Sequence, residues 1–210
     1  MTDTTSLHAP SVPTLADPRA NFAKAVAIGR QVIEGIRPDQ FDNPTPCREY
    51  DVRQLAGHVL AVLNRIAVVG ATGDFSSTPR TIDDVADTAL VPAYQEFADR
   101  IEGAWSDDAV LAKLMTLPWG QLPGAITMMI YINEVSVHTW DLATATAQQP
   151  NWDDDVLQMA YAAITRGLPA QGRQGDGTDP ELVAPFDKVV PVADDAPLID
   201  RLVAWNGRKP

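Results

Sequence analysis

The sequence predicts a mainly α protein, an antiparallel four-helix bundle carrying a small C-terminal helical and irregular extension. Three observations lead there. Apolar residues recur at three- and four-residue spacing over most of the chain rather than at alternate positions. Turn residues break that periodicity into about four or five helical stretches before Pro150, the number an antiparallel bundle needs. After Pro150 the composition shifts, first to one more amphipathic stretch and then to a Gly- and Pro-rich segment with no periodicity. The expected organisation is a disordered tail at 1–16, a bundle at 17–150 and a small C-terminal segment at 151–210 packed on the bundle.

Each element has its own local reason. The first 16 residues are rich in Thr, Ser and Pro and hold too little apolar surface to order themselves. Asp17 reads as an N-cap with Pro18 at the first helical position, starting a helix to about Gly35 or Ile36. After the loop RPDQFDNPTPCREY, Asp51 and Gln54 form a variant capping box for a second helix reaching about Val69. Thr81 reads as the cap of a third helix through about Gly103, kinked or split at Pro92. Ser106 reads as the cap of a short fourth helix, LPWGQLPG as an irregular connector, and Pro123 as the start of a long helix ending near Gln149. Asp153 to Leu168 is amphipathic and helical; KVVPV is an edge strand or an extended pad, because Pro191 interrupts a ladder. A last helix from about Pro197 to Trp205 stops at Gly207, placed like a C-terminal cap.

Charge and composition exclude several functions. The 210 residues are 45% hydrophobic, enough for a core. Sixteen Lys and Arg against 28 Asp and Glu leave a net charge of -12 with no basic stripe, which repels phosphate backbones and anionic membranes and argues against both as partners. Cys47 is the only cysteine, so no internal disulfide or multi-thiolate metal site exists, and the usage fits a reducing compartment. The N-terminus has neither a basic n-region nor an apolar h-region, and the apolar run Ala125 to Ile132 is too short to span a bilayer. The expectation is a soluble, cytoplasmic protein, monomeric or homodimeric.

The stretch YINEVSVHTWDLA, from Tyr131 to Ala143, carries the chemistry. At about 100° per residue Glu134 and His138 fall about 40° apart in the middle of an apolar arc, while Asn133, Ser136 and Thr139 lie on the side expected to face water. A buried carboxylate without a positive partner costs several kcal/mol. An ordinary Glu and His pair is one answer. The other is a metal: side chains four apart on a helix converge on one cation, and a third ligand then comes from another helix. Of the three histidines, His8 is in the tail, which leaves His58, at the edge of the apolar arc of the second helix. His58, Glu134 and His138 together suit Zn²⁺, with Ni²⁺ or another divalent transition ion as the alternative, and leave a fourth position open.

The segments TPCREYDVRQLAGHVL, EVSVHTWDLA and VPVADDAPLIDRLVAWNGRKP resemble the actinobacterial proteins related to mycothiol-dependent maleylpyruvate isomerase, within the DinB-like superfamily. The resemblance spans nearly all of the chain beyond about residue 20; Tyr50 stands where the family often has Trp. It implies a DinB-like four-helix bundle in which His58, Glu134 and His138 coordinate a divalent metal, usually zinc. It also implies a transferase or isomerase with mycothiol as cosubstrate, a metal-bound thiolate as nucleophile and an unidentified small substrate. A non-catalytic metal- or ligand-binding module of the same fold, and a metal-dependent hydrolase, stay open beside it.

Four further readings complete the set. Asp141, within about 20° of Glu134 on the wheel, is either a hydrogen-bonding brace for a ligand imidazole or a helix-to-helix brace. Cys47 reads as a packing residue outside the metal constellation, with a thiol activated by the adjacent helix N-terminus as the alternative. Arg208 reads as a solvated charge, or as a contact for an anionic substrate if the tail folds over the bundle mouth. Trp119, Trp140 and Tyr131 are core or pocket wall.

Overall fold

The computed structural model describes residues 16–118, 120–171, 173–174 and 184–210. The expectations for the N-terminal tail with His8, for Trp119 and for the centre of the Gly- and Pro-rich segment lie outside these residues. Helices α1 (Arg19–Glu34), α2 (Val52–Thr72), α3 (Leu90–Ala104) and α5 (Gly124–Ala145) form the bundle: α1 packs on α3 and α5, and α2 packs on α3 and α5. The short α4 (Asp108–Ala112) leads into a hairpin, β1 (Leu114–Leu117) and β2 (Gly120–Pro123). Helix α6 (Asp154–Gly167) lies across α5 and α1, and α7 (Leu198–Trp205) packs on α6 and α5. Between those two helices, β3 (Arg173–Gln174) pairs in parallel with β4 (Ala184–Asp187).

Helix α2 is the clearest product of its local sequence. Asp51 accepts a hydrogen bond from the Gln54 N–H at 2.8 Å while the Gln54 side chain accepts one from the Asp51 N–H at 3.1 Å. The helix outlasts its expected end at Val69 and stops at Gly73, whose φ of 84° few other residues tolerate. Leu55, Leu60, Leu63 and Ile66 are fully buried in the core cluster, each adding about 1.5–3 kcal/mol of hydrophobic stabilisation. By length and composition alone α2 is apolar enough to cross a membrane, but 78% of that window is buried inside the protein, as befits a core helix.

Several boundaries move for identifiable reasons. Thr81 caps nothing: a turn of 3-10 helix at Asp87–Ala89 precedes α3, and Pro92 falls in the first turn, where its missing N–H is harmless. Asp107 rather than Ser106 caps α4, accepting from the Ala109 N–H at 2.9 Å. The expected irregular connector is the β1–β2 hairpin, which buries Met115 and Leu117 on one face and leaves Leu114 and Thr116 exposed. Helix α5 ends at Ala145, short of Gln149, and Ala147 turns the chain with φ 54°. KVVPV is the extended pad: the strand lies just before it at β4, and the Val190 N–H donates to the Ala204 carbonyl at 3.0 Å.

The larger correction concerns α5. Asn133, Ser136 and Thr139 do not face water; they are 2–3% exposed. The helix has neighbours on most sides, so its least buried line is Ile126, Ile130, Glu134 and His138, the seam the wheel placed deepest. A helix surrounded by packing partners has no polar face for periodicity to reveal.

Candidate metal centre

His58 on α2 and Glu134 with His138 on α5 come together across the contact between those helices, with ligand-capable atoms all within 4.8 Å of one another. The two imidazole rings meet edge to face with centroids 5.0 Å apart.

The His58 ring is held from three directions. Its Nδ1 lies 2.8 Å from the Arg80 carbonyl oxygen, which can only accept, so Nδ1 carries the proton and Nε2 is left as the lone-pair donor. That carbonyl reaches α2 because Gly57 admits the passing backbone: a Cβ there would sit 2.6 Å from the Ile82 carbonyl oxygen, and the Ile82 N–H donates to the Gly57 carbonyl at 3.2 Å. Tyr50 stacks on the other side of the imidazole at 5.1 Å. Burial, reinforced by the neighbouring His138, pushes the His58 pKa down to about 4.

His138 is oriented from its own helix. Its Nδ1 donates to Asp141 Oδ2 at 3.1 Å, which again leaves Nε2 free to bind an ion. Asp141 is fully buried and would be untenable as a lone carboxylate. Arg208 answers it, with Nη2 donating to Oδ2 at 3.0 Å and Nε to Oδ1 at 3.3 Å. Burial by itself raises the Asp141 pKa, yet the His138 hydrogen bond and the Arg208 charge outweigh it and hold the carboxyl below its usual range. Asp141 therefore braces the imidazole and also ties α5 to the segment after α7, and Arg208 is a half-buried ion-pair partner rather than a solvated charge.

Glu134 has a partner that sequence reading missed. Arg65 Nη1 approaches Glu134 Oε1 at 3.8 Å, while its Nε donates to Thr78 Oγ1 and its Nη2 to the Pro79 carbonyl, both at 3.2 Å. The guanidinium also lies 4.9 Å above the Phe75 ring. One cation thus supports the carboxylate and the loop that carries the Arg80 carbonyl. An arginine well inside a hydrophobic helix was the available signal.

Cys47 stays outside the His58, Glu134 and His138 cluster but next to it: its sulfur forms a second cluster with His138 and Asp141, again within 4.8 Å. It is not grouped with His58 and Glu134, burial raises its pKa, and the Asp141 oxygens already face Arg208 and His138. Tyr131 is 3% exposed and its hydroxyl has no hydrogen-bond partner among the described residues; burial and the Glu134 charge raise its pKa. Tyr50 also lines a polar cleft of about 300 Å³ with Glu49, Arg53, Gln54, Thr81 and Asp83. Trp140 lines a separate cleft of about 380 Å³ that includes Trp152 and Ile199.

Residues 22–143, over half of the chain, match the family model of the mycothiol maleylpyruvate isomerase N-terminal domain. The chain belongs to this family. All three clustered residues fall within the family's stretch, whereas Arg208 lies beyond it. Two uncharacterized proteins of Mycobacterium tuberculosis, from strains H37Rv and CDC 1551, are each 28% identical over 196 residues, covering 93% of this chain and 97% of theirs. Among solved structures, the mycothiol-dependent maleylpyruvate isomerase shares the fold at a TM-score of 0.56 and 17% identity, over 73% of this chain and 71% of that one. A histidine-to-alanine mutant of that enzyme aligns over the same shares at 0.54 and 15%.

Proposed function

We propose that this family member is a divalent-metal enzyme that uses mycothiol as cosubstrate in a transfer or an isomerisation of a small molecule, with His58, Glu134 and His138 holding the ion. Zn²⁺ is the proposed ion and Ni²⁺ the alternative. The donor set fits: two imidazole nitrogens and a carboxylate oxygen are a common catalytic zinc set with a position left open. The observation that carries the reading is the orientation of the two imidazoles. Each has its Nδ1 committed to an acceptor, so the Nε2 lone pairs are what the pair offers beside Glu134.

When bound, the ion would keep a thiol ionised at neutral pH, and the thiolate is the nucleophilic form. The chain itself supplies orientation. Asp141 and the Arg80 carbonyl set the ring angles, Tyr50 walls one side, and Arg65 supports Glu134. Burial raises the Cys47 pKa and favours its thiol form, and Cys47 does not cluster with His58 and Glu134, which supports a reacting sulfur supplied by the cosubstrate. The polar cleft beside Tyr50 is a suitable receptor for a hydroxyl-rich body attached to that sulfur.

The test is Co²⁺ substitution followed by titration with mycothiol. The expected result is a sulfur-to-cobalt charge-transfer band that persists in Cys47→Ser. No band and no binding heat would overturn the thiol reading, leaving a metal-binding module or a metal-activated hydrolase.

A further inference from the structure

Arg208 reaches Asp141 through a specific chain corner. Helix α7 closes with the Arg208 N–H donating to the Val203 carbonyl at 2.9 Å and the Gly207 N–H donating to the Ala204 carbonyl at 3.0 Å, the paired bonds of a Schellman motif. Gly207 takes φ 82°, and a Cβ there would lie 2.6 Å from the Asp187 Cβ, so both conformation and space call for glycine. The residue before it locks the corner to α5: Asn206 and Asn133 exchange amide hydrogen bonds at 2.8 and 3.2 Å, both residues being 1–3% exposed. The reversal at Gly207 then sends Arg208 back into the protein, its side chain 15% exposed, onto the fully buried Asp141 carboxylate.

We infer that Arg208 is a positioning residue for the metal centre, acting through Asp141 on the His138 imidazole, so that the site is completed only when the C-terminal segment is docked. The inference rests on the metal-site reading above. Asp141 has two oxygens and two partners, and Oδ2 is shared between His138 and Arg208. With Arg208 contacting both oxygens the carboxylate plane has one orientation, and the His138 Nδ1–H has one acceptor to follow. Without Arg208 the buried carboxylate keeps, among the described residues, the imidazole as its one hydrogen-bond partner and is free to rotate about its terminal bond. The bundle alone therefore supplies three ligands, while one residue 67 positions downstream of Asp141 sets the angle of one of them.

The experiment measures Zn²⁺ affinity by chelator competition, and the Co²⁺ ligand-field spectrum, in the full chain and four variants. Arg208→Ala is expected to weaken Zn²⁺ binding about 10- to 100-fold and to shift the cobalt bands. Arg208→Lys should recover only part of this, since an ammonium lacks the planar fork that spans both oxygens. Gly207→Ala should weaken binding in the same direction without altering any side chain near the ion. Arg201→Ala, which removes a cation stacked 4.9 Å from the Tyr161 ring elsewhere on α7, should bind as the parent does. If Arg208→Ala does not fold by circular dichroism, Arg208→Lys and Gly207→Ala carry the same comparison. Affinities of the Arg208 and Gly207 variants within about threefold of the parent, or an equal loss in Arg201→Ala, would overturn the inference. A parent protein that takes up no metal would instead sink the metal-site reading, and this one with it.

Discussion

The burial of His58 makes a quantitative prediction for the metal-free protein. In an unfolded chain a histidine titrates at 6.5, whereas burial and the adjacent His138 bring His58 to about 4. The native state thus binds fewer protons than the unfolded state between those values, so stability rises with pH across the window. His58 contributes its full stabilisation above pH 6.5 and loses it as the pH falls towards 4. The difference between 6.5 and about 4, at about 1.4 kcal/mol for each tenfold change in proton affinity, gives about 3–4 kcal/mol in full, and with His58 only 7% exposed, solvent screening takes little of it away. The perturbation is His58→Gln, which keeps an amide donor for the Arg80 carbonyl and cannot titrate. Urea unfolding of both proteins in strong chelator, at several pH values from 7.5 to 4.5, gives the difference in which other titrating groups cancel. The parent should lose about 2–3 kcal/mol more than the variant between pH 7.5 and 4.5, with the remainder lost nearer pH 4. Parallel pH curves would refute the reasoning, because they would show that the His58 proton costs the same in both states.

The metal reading predicts about one divalent ion per chain, lost in His58→Ala or His138→Ala and counted by elemental analysis. At free metal near 100 times Kd the bound ion adds about 2.7 kcal/mol, so chelation should lower Tm by roughly 5–10 °C for a domain of this size; an unchanged melting curve would leave an ordinary Glu and His pair. Arg65→Leu removes the cation facing Glu134 and the anchor of the Thr78–Pro79 loop, and should cost the metal-free protein about 1–3 kcal/mol but the loaded protein less, as read from paired melting curves. Tyr131→Phe deletes a buried hydroxyl with no partner among the described residues, so by differential scanning calorimetry it should leave stability unchanged or raise it by up to about 1 kcal/mol. A loss of ligand affinity in that same variant would mark the hydroxyl as a contact for the bound molecule.

What the sequence determined by itself is what neighbours along the chain decide. The Asp51–Gln54 box, the stop at Gly207 and the four-residue spacing that sets Glu134 beside His138 all arise within a turn or two of helix, where backbone geometry dictates who meets whom. Elimination among three histidines then singled out His58, which the structure does bring to that pair. The placement of Asn133, Ser136 and Thr139 was illegible for the opposite reason: α5 is packed on several sides, and periodicity reports one buried face only when another is wet. Tertiary packing alone decided the partners of the charges. Arg65 meets a loop and a second helix, Cys47 arrives beside Asp141, and Arg208 crosses 67 positions to reach the same carboxylate. A carboxylate buried at Asp141 demands a counter-charge wherever the chain can bring one, and the chain brings it only because a glycine at 207 can turn it inward.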